Sequence, residues 1–163
     1  MGWRSYLWST MYTISVLAEL EGHDDRVWSV AWNPSKPMLA SCSGDKSVRL
    51  YSYSTDPDGE LRFDLVSSIP TGHTKSVRTV SWSPSGKTFV TGSFDSSIAV
   101  WEKADDSEEW ECMTTLEGHE TECKGVAYSA TGALLASCSR DKSVWIWEGQ
   151  LDSALTRCLL IFR

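Results

Sequence analysis

The amino-acid sequence predicts an all-β fold in which one four-stranded antiparallel unit is built three times. Two observations predict it. The decamer "SRDKSVWIWE" at 139–148 has near-copies, "SGDKSVRLYS" at 43–52 and "SFDSSIAVWE" at 93–102. All three histidines follow a glycine, at Gly22-His23, Gly72-His73 and Gly118-His119, and each stands at a fixed distance from the decamer behind it. From histidine to aspartate is 22 residues: His23 to Asp45, His73 to Asp95, His119 to Asp141. From histidine to an aromatic is 28 residues: Tyr51, Trp101 and Trp147. The units start 50 and 46 residues apart, so length varies only after each decamer.

Each unit reads as short strands separated by turn chemistry. "VWSVAW" (27–32), "VRTVSW" (77–82) and "CKGVAY" (123–128) are the first strands. The turns "NPSKP", "SPSGK" and "SATGA" follow, rich in the residues that bend a backbone. "MLASCS" (38–43), "TFVTGS" (88–93) and "LLASCS" (134–139) are the second strands. The decamer turns at its aspartate and supplies the third, along which Val144 and Ile146 point opposite to Trp145 and Trp147. "LRFDLVSSI" (61–69) and "WECMTTL" (110–116) fit a fourth strand, and "TRCLLIFR" (156–163) fits it in the last unit. "YTISVLAEL" (12–20) is expected to be a leading strand, and 1–11 and 149–155 to be irregular. The units then span about 20–69, 70–116 and 117–163.

Composition bounds the function. A chain of 163 residues suits one domain that buries roughly 70% of its unfolded surface. Net charge is −7 and the lysines and arginines do not cluster, so nucleic acid is not expected as a partner. "DPDGE" and "ADDSEEWE" read as solvated acidic loop tips. No apolar run approaches the ~20 residues that span a bilayer, and "MGWRSYLWST" lacks the apolar stretch of a secretory signal. A cytoplasmic or nuclear protein away from membranes is the expectation. The five cysteines form no CxxC pair, so no zinc site, metal or cofactor is expected. Cys42 and Cys138 occupy one place in two "SCS" stretches and read as small buried hydrophobes.

A sheet stacked between two others must satisfy its polar groups internally. Each histidine, its aspartate, a strand hydroxyl and the strand tryptophan are therefore expected to form one hydrogen-bonded chain. The hydroxyl is Ser41 or Ser43, Thr91 or Ser93, Ser137 or Ser139. Asp, His and Ser are also the parts of a hydrolase triad. A triad occurs once at a cleft, whereas this set occurs three times at constant spacing, and no GxSxG elbow is present. The set reads as architecture, with no catalytic residue. In the first unit Tyr51 and Ser52 replace Trp and Glu, which alters that network.

Four strands per 40–50 residues, opened by Gly-His and closed by Trp plus an acidic residue, resemble the blade of a WD-repeat β-propeller. The segment 71–148 resembles more closely the WD-repeat family of the cytosolic iron–sulfur assembly targeting complex. That resemblance rests on "SVRTVSWSPSGKTFVTGSFDSSIAVWEK", "WECMTTLEGHE" and "KGVAYSATGALLASCSRDKSVWIWE". It implies a non-catalytic scaffold that binds an adaptor and a large helical-repeat subunit and helps pass iron–sulfur clusters to cytosolic and nuclear apoproteins. The family's propeller has seven blades and holds no cluster itself. This chain holds three, and "GQLDSALTRCLLIFR" after Glu148 leaves the family pattern. The expectation is an incomplete propeller: an open arc whose apolar end faces invite self-association, read as a truncated or alternatively spliced member or an incomplete gene model.

Partners of propellers commonly dock on the face carrying the turn before each decamer aspartate. Those positions are Gly44, Phe94 and Arg140, with Trp28, Arg78 and Lys124 nearby at the entry to the first strands. Arg140, with Arg78 and Lys124 on the same rim, is suited to an acidic partner segment, and Phe94 to an interface anchor.

Overall fold

The computed structural model describes residues 14–104, 107, 109–150 and 153–162. Among the described residues twelve strands form three separate four-stranded antiparallel sheets, here called blades. Blade 1 holds β1 (Val27–Trp32), β2 (Met38–Ser43), β3 (Ser47–Thr55) and β4 (Leu61–Pro70). Blade 2 holds β5 (Val77–Trp82), β6 (Thr88–Ser93), β7 (Ile98–Lys103) and β8 (Trp110–Leu116). Blade 3 holds β9 (Cys123–Tyr128), β10 (Leu134–Ser139), β11 (Val144–Gln150) and β12 (Ser153–Phe162). Each blade is a meander, its strands paired in chain order. The first strands β1, β5 and β9 lie side by side on the inside of an arc that does not close.

Period-two alternation divides every blade into two faces. Ala40, Cys42, Val48, Leu50 and Ile69 of blade 1 are buried, at most 5% exposed, against Val80, Trp82, Phe89 and Trp101 of blade 2. Val90, Ile98 and Leu116 of blade 2 meet Leu135 and Trp147 of blade 3, with Val126 and Tyr128 packed beside them. Blade 2, covered on both sides, carries half of the described buried hydrophobic residues, more than either other blade. Residues between the blades also bond across them. The Trp82 indole N–H donates to the Ala31 carbonyl at 3.1 Å. The Asn33 side-chain amide donates to the Gly86 carbonyl at 2.9 Å, and the Ser35 hydroxyl to the Ser85 carbonyl at 2.9 Å. Gly86, at φ +69°, is required here, because a Cβ would fall 2.0 Å from Ser35 Oγ and 2.4 Å from Asn33 Oδ1.

The structure corrects three expectations. No strand forms over 14–20, the described part of the leading strand: a strand needs a ladder partner, and each sheet is complete with four. Ile14 and Val16 are left 96% and 90% exposed. The described residues of 149–155 are strand rather than irregular, since β11 runs to Gln150 and β12 starts at Ser153, paired with it. Cys138 is exposed rather than buried, because among the described residues no fourth blade covers β10 as blade 2 covers Cys42. Cys112 on β8 is exposed too. Burial pushes the Cys42 and Cys123 thiols up to about 12, so both are protonated, inert packing groups. The irregular segment expected over 1–11 lies outside the described residues.

Candidate functional site

The decamer polar groups fold inward. In blade 2, Asp95 Oδ2 bonds His73 Nδ1 at 3.1 Å, and His73 Nε2 bonds Thr91 Oγ1 at 3.0 Å. The Trp101 indole N–H donates to the same Thr91 oxygen at 3.0 Å. Blade 3 repeats this, with Asp141 to His119 at 2.8 Å, His119 to Ser137 at 2.8 Å and the Trp147 N–H to Ser137 at 2.9 Å. Blade 1 has Asp45 to His23 and His23 to Ser41, both 2.8 Å. Among the described residues no indole reaches Ser41, since Tyr51 stands at that position. One proton assignment satisfies every atom in blades 2 and 3. The indole donates to the hydroxyl, the hydroxyl donates to Nε2, and Nδ1–H donates to the aspartate.

The hydroxyl choice left open by the sequence is settled by reach. Ser41, Thr91 and Ser137 lie mid-strand, opposite the histidine. Ser43, Ser93 and Ser139 lie at the turn, where each accepts the N–H of Asp45, Asp95 or Asp141 and donates to a backbone carbonyl. Each aspartate gathers further donors: Ser47, Ser97 or Ser143 through both hydroxyl and N–H, and the N–H of Asp24, Thr74 or Glu120. Burial alone would raise these carboxyls. The hydrogen bonds outweigh it and hold all three well below the ordinary carboxylate range. Thr91 and Ser137 are buried, and each hydroxyl is engaged by both a histidine and an indole of its own blade.

The rim is built differently. In all three blades the first pair of strands carries a β-bulge, and the extra residue is Trp28, Arg78 or Lys124. A bulge releases one side chain from the in-out alternation and re-aims it. The turn residues Gly44, Phe94 and Arg140 sit beside these bulges, their N–H groups bonded to the carbonyls of Arg26, Ser76 and Glu122. Sequence alone offered no sign of the bulges, because "VWSVAW", "VRTVSW" and "CKGVAY" read as regular strands.

Four of the six rim residues form one contiguous strip across the blades. The Arg78 guanidinium lies 5.1 Å from the centre of the Trp28 ring and donates to the Trp28 carbonyl at 3.2 Å. Trp28 and Phe94 are 5.9 Å apart, centre to centre. Lys124 Nζ stands 3.9 Å from the centre of the Phe94 ring. An aromatic pair, Trp28 and Phe94, is thus flanked by a cation at each end, and the strip runs across all three blades. Arg140 stands apart, with its side chain 70% exposed and paired to Glu122 at 3.1 Å. Glu122's own backbone N–H, and then Arg140, hold its carboxyl below the ordinary range. Gly44 contributes no side chain, and a Cβ there would fall 2.5 Å from Asp25 Oδ2. Among the described residues no group of His, Cys, Asp and Glu is arranged to hold a metal ion.

Comparisons with known proteins agree with this architecture. The model of the family "WD domain, G-beta repeat" matches residues 14–52, 63–102 and 110–148. Each of the last two matched units begins in the outer strand of one blade and ends in the third strand of the next. In the first unit, 14–20 takes the place of that outer strand. The chain is 47% identical over 142 residues to "Probable cytosolic iron-sulfur protein assembly protein 1" of Mycosarcoma maydis, covering 65% of this chain and 31% of that protein. It is 68% identical over 38 residues to "Probable cytosolic iron-sulfur protein assembly protein CIAO1 homolog" of Ixodes scapularis, covering 23% and 12%. It is 54% identical over 46 residues to "Protein CIA1" of Arabidopsis thaliana, covering 24% and 13%. The chain therefore matches about a third of the Mycosarcoma relative's length and less of the other two.

Proposed function

The chain belongs to the WD domain, G-beta repeat family, and from that premise we propose that it is a non-catalytic protein-interaction scaffold of cytosolic iron–sulfur protein assembly. Its work is to hold an adaptor and a helical-repeat subunit together with client apoproteins, in the cytosol and, for nuclear clients, in the nucleus. The names of its relatives support the process. The observation that carries the mode of action is the division of polar groups. Every histidine and decamer aspartate is spent inside a blade, while Trp28, Arg78, Phe94, Lys124 and Arg140 are turned out to one rim.

Such a rim suits an acidic partner segment with an apolar side chain. The carboxylates meet Arg78, Lys124 and Arg140, and the apolar group meets Phe94. The bulges fix the spacing of the cations, so little order need be gained on binding.

The test is coprecipitation with the tagged chain, followed by identification of what is retained. Iron–sulfur assembly proteins retained by the native chain and lost with Arg140→Glu support the reading. Arg140 is surface-exposed and its ion pair with Glu122 is screened by solvent, so the variant remains folded. Undiminished capture by Arg140→Glu would remove the rim from the reading. Capture of an unrelated complex would remove the iron–sulfur role and leave a general interaction module.

A further inference from the structure

Blade 2 lacks a contact that the other two blades make. In blade 1 the Arg49 guanidinium lies over the glycine before the histidine, so that a Cβ at Gly22 would run into Nη1 and Cζ. In blade 3 the Trp145 ring lies over Gly118 in the same way, 5.2 Å from the His119 ring, centre to centre. Register makes the two residues equivalent. Arg49 is paired with Ser41 and Trp145 with Ser137, the hydroxyls that bond the histidines. The equivalent residue of blade 2 is Ala99, paired with Thr91. Its side chain stops at Cβ, and among the described residues no atom comes within 4 Å of where a Cβ on Gly72 would stand.

What Ala99 leaves open is a cavity of about 450 Å³, inside the roughly 300–1,000 Å³ range of ligand clefts. Ala99 is its buried floor, and Gly72, Asp95, Ser97 and Glu117 stand among its walls. The other two blades show which chemistry fits there, because both occupants are flat and both carry N–H donors. In blade 3 the Trp145 indole N–H donates to Ser143 at 2.9 Å, and Ser97 is the counterpart of Ser143. Charge then decides between a guanidinium and an indole. Glu117 is exposed and can accept hydrogen bonds from a cation. Asp95 already accepts four, from His73, from Thr74 and twice from Ser97, so it adds negative field rather than a further acceptor. An indole would leave both carboxylates facing an uncharged ring.

We propose that this cradle receives an arginine side chain of a partner protein, its guanidinium lying flat on Gly72 and paired with Glu117. Arginine suits it better than lysine, because a compact ammonium leaves the flat space beside the glycine unfilled. Asp95 follows the rim residue Phe94 in the chain, so an acidic pocket adjoins the cationic strip. A partner that brings carboxylates to the strip and an arginine to the cradle is held in one orientation, since the reverse placement sets like charges against each other. The proposal rests on the cavity and on the repeat, not on the iron–sulfur reading, so either can fail without the other.

The experiment is an NMR titration of the isotope-labelled full chain with N-acetyl-argininamide, read at the backbone amides of Gly72, Thr74 and Ala99. Saturable shifts centred on those amides are expected. N-acetyl-lysinamide, which lacks the plane, and the citrulline analogue, which lacks the charge, should bind several-fold more weakly. Ala99→Arg supplies from within what Arg49 supplies in blade 1, so it should abolish saturation, and a cooperative urea transition checks that it folds. Glu117→Gln changes an exposed side chain and leaves the fold intact. It should weaken binding by up to about five-fold, the weight of a solvent-exposed charge pair. A native chain without saturable shifts overturns the proposal. Equal binding of either control overturns it as well, and so does tighter binding of N-acetyl-tryptophanamide, which would make the occupant an indole. A folded Ala99→Arg chain that binds like the native one would place the site elsewhere, and unchanged affinity in Glu117→Gln would remove the ion pair on which the choice of arginine stands.

Discussion

Lys124 Nζ sits 3.9 Å from the centre of the Phe94 ring, across the boundary between blades 2 and 3. The contact is at the surface, where such pairs contribute about 0.5–1 kcal/mol. Phe94→Ala is expected to lower stability by about that much, because the ring lies half-buried at the rim and not in the core. Partner capture should fall far more. A urea melt and a pulldown on the same variant separate the two effects, and equal, small losses in both would remove Phe94 as an anchor.

Thr91→Val should be the costliest single change in the polar network. It leaves the His73 Nε2 and the Trp101 indole N–H without a partner in the blade joint. Each unpaired buried group costs about 1–3 kcal/mol. Ser41→Ala in blade 1 should cost less, because among the described residues no indole depends on Ser41. Urea midpoints that place the two variants together would show that the indole bond contributes nothing.

The three network aspartates set the acid limit. Their carboxyls are held low in the folded chain, so the unfolded chain binds more protons as pH falls. The stabilisation they give is complete above about pH 4, the unfolded carboxylate value. It is lost progressively as pH falls below that, through the folded values. A pH series of urea melts should show stability dropping steeply below about pH 4. Asp95→Asn should be less stable at pH 7 and show a shallower acid slope. An unchanged slope would mean that Asp95 is not a proton-linked group.

Lys46, Ser96 and Lys142 follow the network aspartates and all lie at positive φ, between 69° and 79°. A side chain in that conformation costs about 1 kcal/mol relative to glycine. Lys142→Gly, which removes no hydrogen bond of the network, is expected to raise stability by about 0.5–1 kcal/mol, a shift readable as a higher urea midpoint. A lower midpoint would mean that unfolded-chain entropy outweighs the relief of strain.

The constant spacing from histidine to aspartate and aromatic made the strands and the polar network legible, because both repeat within one unit. What the sequence hid depends on neighbouring units or on local register. Cys42 and Cys138 share one motif, yet only Cys42 is covered by another blade. Asn33 read as an ordinary turn residue, and its bond to Gly86 crosses 53 positions of chain. Trp28, Arg78 and Lys124 were identifiable as rim residues by position. Their joining with Phe94 into one strip was not, because a bulge leaves no mark on the hydrophobic pattern. Ser41 and Ser43 differ only in reach to a histidine that approaches from another loop.

The Asn33–Gly86 clasp and the Trp82–Ala31 bond span 53 and 51 positions, whereas the histidine–aspartate links close loops of 22. Loop-closure entropy grows slowly with length, about 0.6 kcal/mol per doubling, so the longer links are only modestly harder to form. They come later because each joins two surfaces that must already exist. Folding is then a sequence of blade formation followed by docking, with each unit coupled only to its neighbours. Unfolding runs the other way and starts at the ends. Amide exchange should be slowest in β5 to β7 and progressively faster toward β1 and β12, so that the middle blade behaves as the kinetic nucleus of the arc.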